Sequence, residues 1–201
     1  MIKTLARIVS FIFHPTLIPT LGFILFFHSG FYFSYLSWEA ERIVLMIVLF
    51  STAVLPLLAL AIMALNPKHE LSFETPRQRL LPLVFSASFY YLGYVLMKRI
   101  DAFPVLQLIL LASVVVQVIL LLLSLKIDVS CHLAAIGGLT GALLALSFRT
   151  GTNPVWTIVL ILLASGLAGW SRLLLNKNKL WQMEISYAVA FAVLYLVIYF
   201  I

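Results

Sequence analysis

Seven apolar stretches, most of them 17 or more residues long, occupy most of this chain and leave almost no room for a soluble domain. A helix needs about 20 such residues to cross the hydrocarbon of a bilayer, where no water satisfies an open backbone. Composition agrees with that constraint. Apolar residues make up 64% of the 201, charged residues only 10%, and the mean hydropathy is +1.14. No water-soluble core of this length needs so much apolar surface. The expected fold is all-α: a single integral membrane domain over residues 1–201, a bundle of seven transmembrane helices, or six.

The expected spans are 10–36, 43–65, 80–97, 104–125, 131–148, 153–175 and 182–201. Pro15 and Pro19 break the first of them early, so its opening part is expected along the interface and its crossing nearer 18–36. Pro56 is expected to kink the second. Trp38, Trp156 and Trp181 sit near span ends, as interfacial aromatics do. Lys3 and Arg7 ahead of an apolar run suggest a signal peptide. The run continues past Phe33 with no small-residue cleavage site, however, and reads as a retained helix.

The single cysteine, Cys131, excludes an internal disulfide and a cysteine-only metal site. No two histidines have the helical spacing of a zinc site, and no metal or cofactor is expected. The formal charge of +6 comes without a basic run or an aromatic-interleaved patch, so nucleic acid is not an expected partner. With seven spans, nine of the Lys and Arg residues fall on the face of the N-terminus and four (Arg42, Lys98, Arg99 and Arg149) on the other. That bias makes the N-terminal face cytoplasmic.

Three polar clusters lie on that same face, two spans apart. They are the loop from Asn66 to Pro82, the run Asp128-Val129-Ser130-Cys131-His132, and the stretch from Ser171-Arg172 through Asn178 to Gln182 and Glu184. An even number of crossings between clusters lets loops distant in sequence build one site. Guanidinium forks and a hydroxyl hold a phosphate, and an imidazole transfers a proton.

In this order and spacing the chain resembles the membrane branch of the type 2 phosphatidic acid phosphatases, in particular their short multi-span bacterial relatives. The matching residues are Arg79-Leu80-Leu81-Pro82, Ser130-Cys131-His132 and Ser171-Arg172-x5-Asn178-x3-Gln182, with Phe13-His14-Pro15 and Ile18-Pro19-Thr20 near the start. The resemblance implies a bacterial inner-membrane protein that handles a phospholipid or polyprenyl phosphate. It makes Arg79, with Arg77 beside it, Ser130 and Arg172 phosphate ligands and His132 the general acid. At the family's nucleophilic histidine stands Asn178, and at the aspartate that orients it stands Gln182. A carboxamide nitrogen has no available lone pair, so the covalent step is lost while the cradle is partly kept.

Each of these residues has a plainer reading. Arg77 and Arg79 serve equally as cytoplasmic cations that set orientation, and Arg172 as a side chain that snorkels to the interface. Ser130 reads as the N-cap of the fifth span, His132 as a packed residue and Asp128 as an offset to Lys126. His14 and His28 read as satisfied interior or interfacial residues. Gly137, Gly138 and Gly141 read as a close-packing face in the fifth span, Gly166 and Gly169 as the same in the sixth. The fifth and sixth spans and the start of the seventh are expected at the bundle centre.

Three functions compete on this basis: a phosphatase-like protein that binds a lipid phosphate without normal turnover, an active lipid phosphatase with an altered site, and a structural subunit of a membrane complex. The side of the clusters is directly measurable. In a Gln78→Cys variant the new thiol is expected to react with a membrane-impermeant reagent only from the cytoplasmic side; labelling from outside reverses the orientation.

Overall fold

A computed structural model describes residues 2–65 and 76–201, with the side chains of 76–80 outside the described set. Among these residues the regular structure is helical throughout: α1 Ile2–Ile12, α2 Ile18–Phe27, a 3-10 turn Tyr32–Tyr35, α3 Trp38–Leu49, a π-turn Phe50–Val54, α4 Leu55–Ala64, α5 Pro76–Arg99, α6 Pro104–Ser124, α7 Cys131–Thr150, α8 Val155–Leu174 and α9 Leu180–Phe200. Five stretches are long and apolar enough to cross a membrane: the rod Trp38–Ala64, α6, α7, α8 and α9. The protein is a helical integral membrane protein.

The expected first span is not one helix. Pro15 has no N–H to continue α1, and His14 before it is disfavoured from helical conformation. The chain therefore turns at His14 and restarts at Ile18, with Pro19 in the first turn of α2, where its missing N–H costs nothing. α1 is an amphipathic helix with Lys3 and Arg7; it buries Ala6 and leaves Leu5, Ile8 and Phe11 exposed. It packs against α8. The 10 residues of α2 rise only about 15 Å at ~1.5 Å per residue, half of a ~30 Å hydrocarbon core. Phe23, Phe26 and Phe27 of α2 meet Phe31 and Phe33 after it edge-on or tilted, and this cluster ties the following turn to the helix.

The second span carries a wider irregularity than a kink. Pro56 cannot donate to Thr52, and its ring presses on that carbonyl; the turn containing Thr52 opens to a π-turn over Phe50–Val54. Pro82 lies inside α5, which continues through it from Pro76 to Arg99.

The helix at the centre is α7. Its most apolar window is 67% buried, against 22% for α8. A Cβ on Gly137 or Gly141 would meet the carbonyl oxygens of Tyr187 and Phe191 inside van der Waals contact, so α7 lies directly on the backbone of α9. The sixth span is not central as expected. Among the described residues nothing lies within 4 Å of a Cβ built on Gly166 or Gly169, so those glycines face none of the described helices.

These contrasts predict opposite outcomes for the same substitution. Gly137→Ala and Gly141→Ala are expected to lose about 1–3 kcal/mol each through overpacking. Gly166→Ala and Gly169→Ala are expected to be neutral or to gain up to about 1 kcal/mol from helix propensity. Thermal unfolding of the four purified variants checks the ordering.

Candidate functional site

Local chemistry closes α8 over its own end. Asn176 takes a left-handed conformation, φ 51°, which asparagine tolerates better than most residues. The Lys177 amide then donates back to the Arg172 carbonyl at 3.1 Å, the closure typical of a helix C-terminus. This reversal lays Asn178 over Arg172, whose Nε and Nη2 donate to the Asn178 Oδ1 at 3.1 and 2.9 Å. Four residues on, Gln182 is committed to the backbone. Its Oε1 accepts the Lys179 N–H at 2.9 Å and caps the first turn of α9.

At the start of α7, Ser130 holds the N-cap position without making a cap bond. Its amide donates to Ser186 Oγ at 2.9 Å, and Ser186 donates to the Gln182 carbonyl at 2.6 Å. Ser130 is 1% exposed, and its hydroxyl has no hydrogen-bond partner among the described residues. The His132 ring instead reaches α1: its Nε2 lies 3.3 Å from the Ser10 carbonyl and 3.4 Å from the Ser10 hydroxyl. A nitrogen facing a carbonyl carries the proton, which leaves Nδ1 of His132 as an acceptor.

His14 arrives from the break between α1 and α2. Its Nδ1 lies 2.8 Å from Thr16 Oγ1 and receives the Thr16 N–H at 3.5 Å. A nitrogen that receives an N–H is the acceptor, so Nε2 of His14 holds the proton and is a donor. The π-turn steadies this corner, since Thr52 donates its hydroxyl to the Thr16 carbonyl at 3.4 Å. The two imidazoles meet edge to face with centroids 5.7 Å apart.

These groups form one end of a cavity of about 540 Å³. Its polar end is lined by His14, Thr16, His132, Arg172, Lys177 and Asn178, and no acidic side chain is among its described lining residues. Its depth is apolar, between Phe23, Phe26, Ile109, Leu110, Ala142 and Leu194. Part-way down, Gln117 lines the wall with its Oε1 buried and unpartnered among the described residues. An unmet buried acceptor costs roughly 1–3 kcal/mol.

Of the residues singled out in the sequence, the fold brings His132, Arg172 and Asn178 together at the cavity. It sets Ser130 and Gln182 behind them, in the joint between α7 and α9. The side chains of Arg77 and Arg79 lie outside the described residues. His14, weighed in the sequence as an interior or interfacial residue, faces His132, Thr16 joins the polar end unanticipated, and Lys177 comes to it from the third polar cluster. The proline beside His14 was the available signal, because it puts a bend rather than a helix face at that point. No family model, no curated protein and no solved structure matches the chain.

Burial, and after it the positive charge of Arg172, lowers the His14 imidazole below the ordinary histidine value of 6.5. A depressed pKa means the unfolded chain takes up a proton first as pH falls, so the associated stability is present above about 6.5 and lost on acidification below it. The drop in melting temperature between pH 7.5 and 5.5 is expected to be smaller in His14→Gln than in the parent protein. Equal drops in both would remove His14 as a source of the pH dependence.

Proposed function

We propose that the protein binds the phosphate head group of a membrane lipid in this cavity, with the lipid chain between helices. The observation that carries this reading is the polarity of the cavity: a guanidinium, an ammonium and an imidazole N–H at one end, no described carboxylate among them, and apolar walls below. Ligand sites of this kind are mostly apolar pockets of about 300–1,000 Å³ with a few convergent polar groups. Arg172 supplies a fork for two phosphate oxygens and His14 an N–H. Asn178 holds Arg172 without adding negative charge, which a carboxylate at the same place would do.

On this reading the chain is a relative of the type 2 phosphatidic acid phosphatases in which binding has outlived the covalent step, and Arg77, Arg79 and Ser130 are further candidates for the anion. It crosses the bilayer seven times, the first passage being α2 with the turn to Tyr35. The polar end faces the cytoplasm of a bacterial inner membrane, and the ligand is a phospholipid or polyprenyl phosphate. A structural subunit needs no such cavity.

A second reading is favoured by one geometric fact. With Nε2 committed to Ser10, the Nδ1 lone pair of His132 is available to take a proton from water. That would permit slow hydrolysis without a phospho-enzyme.

Two measurements test these readings. Arg172→Gln is expected to raise the Kd for monododecyl phosphate roughly ten- to hundredfold, the worth of a hydrogen-bonded charge. An unchanged Kd removes the head-group reading. Phosphate release from phosphatidic acid is expected to be negligible in the parent protein and to rise in the Asn178→His, Gln182→Asp double variant. Clear release by the parent protein, abolished in His132→Gln, would instead establish the hydrolytic reading.

A further inference from the structure

The unpartnered carboxamide oxygen of Gln117 does not stand alone. Ser113 precedes it by one helical turn on α6, and Ser86 and Tyr90 sit at the same spacing on α5, which packs against α6. All four side chains line the cavity. Ser113 gives its proton to the Ile109 carbonyl at 2.8 Å, so toward the cavity it too offers an acceptor. Four polar side chains thus lie along the α5 and α6 wall of a cavity that is otherwise apolar below its mouth.

Their depth follows from helix geometry. Gln117 lies seven residues before Ser124, where α6 ends beside the start of α7 and His132. At ~1.5 Å per residue that places it about 10 Å, or two turns, below the polar end. A phosphate held by Arg172 and His14 would leave Gln117 facing the chain of the lipid and not its head group. A plain hydrocarbon chain would bury the Gln117 oxygen without a donor. Membrane-embedded polar groups are retained where they meet a partner.

Resting on the head-group reading above, we propose that this belt is a second polar subsite, which selects lipid phosphates carrying a hydrogen-bond donor, a hydroxyl or amide N–H, about two helical turns below the phosphate. Gln117 accepts from that donor, and Ser86, Ser113 and Tyr90 surround it.

The test compares monododecyl phosphate with its isomers hydroxylated at successive chain positions, titrated onto the full chain in lipid nanodiscs. The parent protein is expected to bind one mid-chain hydroxyl isomer roughly five- to tenfold more tightly than the unsubstituted phosphate, the worth of one hydrogen bond to an otherwise unmet acceptor. In Gln117→Leu and Gln117→Met, two apolar replacements of similar size, that preference should vanish. Equal binding of all isomers by the parent protein overturns the proposal, as does a preference that survives both substitutions; water alone on Gln117 gives the first of these results. Arg172→Gln should weaken every probe together. If even unsubstituted dodecyl phosphate fails to bind the parent protein, the head-group reading falls and takes the belt with it, whereas lost isomer preference alone removes only the belt.

Discussion

The arrangement of the site depends on two glycines. In a bilayer, apolar side chains gain little by leaving lipid for one another, so helices associate where small residues allow their backbones to touch. Gly137 and Gly141 set α7 directly against the carbonyls of Tyr187 and Phe191 on α9. That contact fixes the relative height of the two helices, and the height decides which side chains face each other at their ends. Ser130 reaches Ser186, and Ser186 reaches Gln182, only because the starts of α7 and α9 are level. With the Ser130 amide, the Ser186 hydroxyl and the Gln182 carbonyl joined there, His132 and Asn178 face the cavity.

A carboxamide at position 178 suits holding an anion better than transforming one. Arg172 Nε and Nη2 both donate to a single Oδ1, so this edge of the guanidinium meets a neutral acceptor. An aspartate there would grip it more strongly and offset its charge. An imidazole would offer a nucleophile but only one acceptor nitrogen. Asn178 therefore positions a cation without offering a nucleophile, and Gln182 serves the backbone as a cap. The two residues that depart from the resemblance each have a local structural use.

The sequence made the spans legible because hydrocarbon imposes a length and a composition, and the ends of α6, α7, α8 and α9 lie within a few residues of those expected. It did not make facing legible. Gly166 and Gly169 look like Gly137 and Gly141 in composition, yet the first pair meets nothing among the described residues and the second pair touches a helix. Composition along a single helix carries no information on which side a neighbour will lie. For the site, Arg172 and His132 were marked by being ionisable at span ends, where apolar residues would have served. His14 was obscured by its apolar surroundings; only the fold brings the turn after α1 against the start of α7. Ser130 and Gln182 stood at the right positions in the sequence, yet the fold buries the Ser130 hydroxyl in the joint between α7 and α9 and commits the Gln182 carboxamide to the Lys179 N–H.

The cavity itself originates in proline. Pro15, Pro19, Pro56 and Pro82, half of the eight prolines, all line it. Three of them mark places where a helix is stopped, restarted or widened, at the turn before α2 and the π-turn before α4, and Pro82 removes one backbone donor early in α5. Uninterrupted helices of this composition would close on one another and leave no room for a ligand. Broken helices expose carbonyls that hydrocarbon cannot satisfy, so they are tolerated where they line a polar or occupied space. The hydroxyls beside the breaks answer that need, Thr52 bonding the Thr16 carbonyl across two of them. The same interruptions that carry a backbone cost in the membrane thus create the space, place His14 at its polar end, and leave the α5 and α6 polar belt facing inward where a lipid chain would pass.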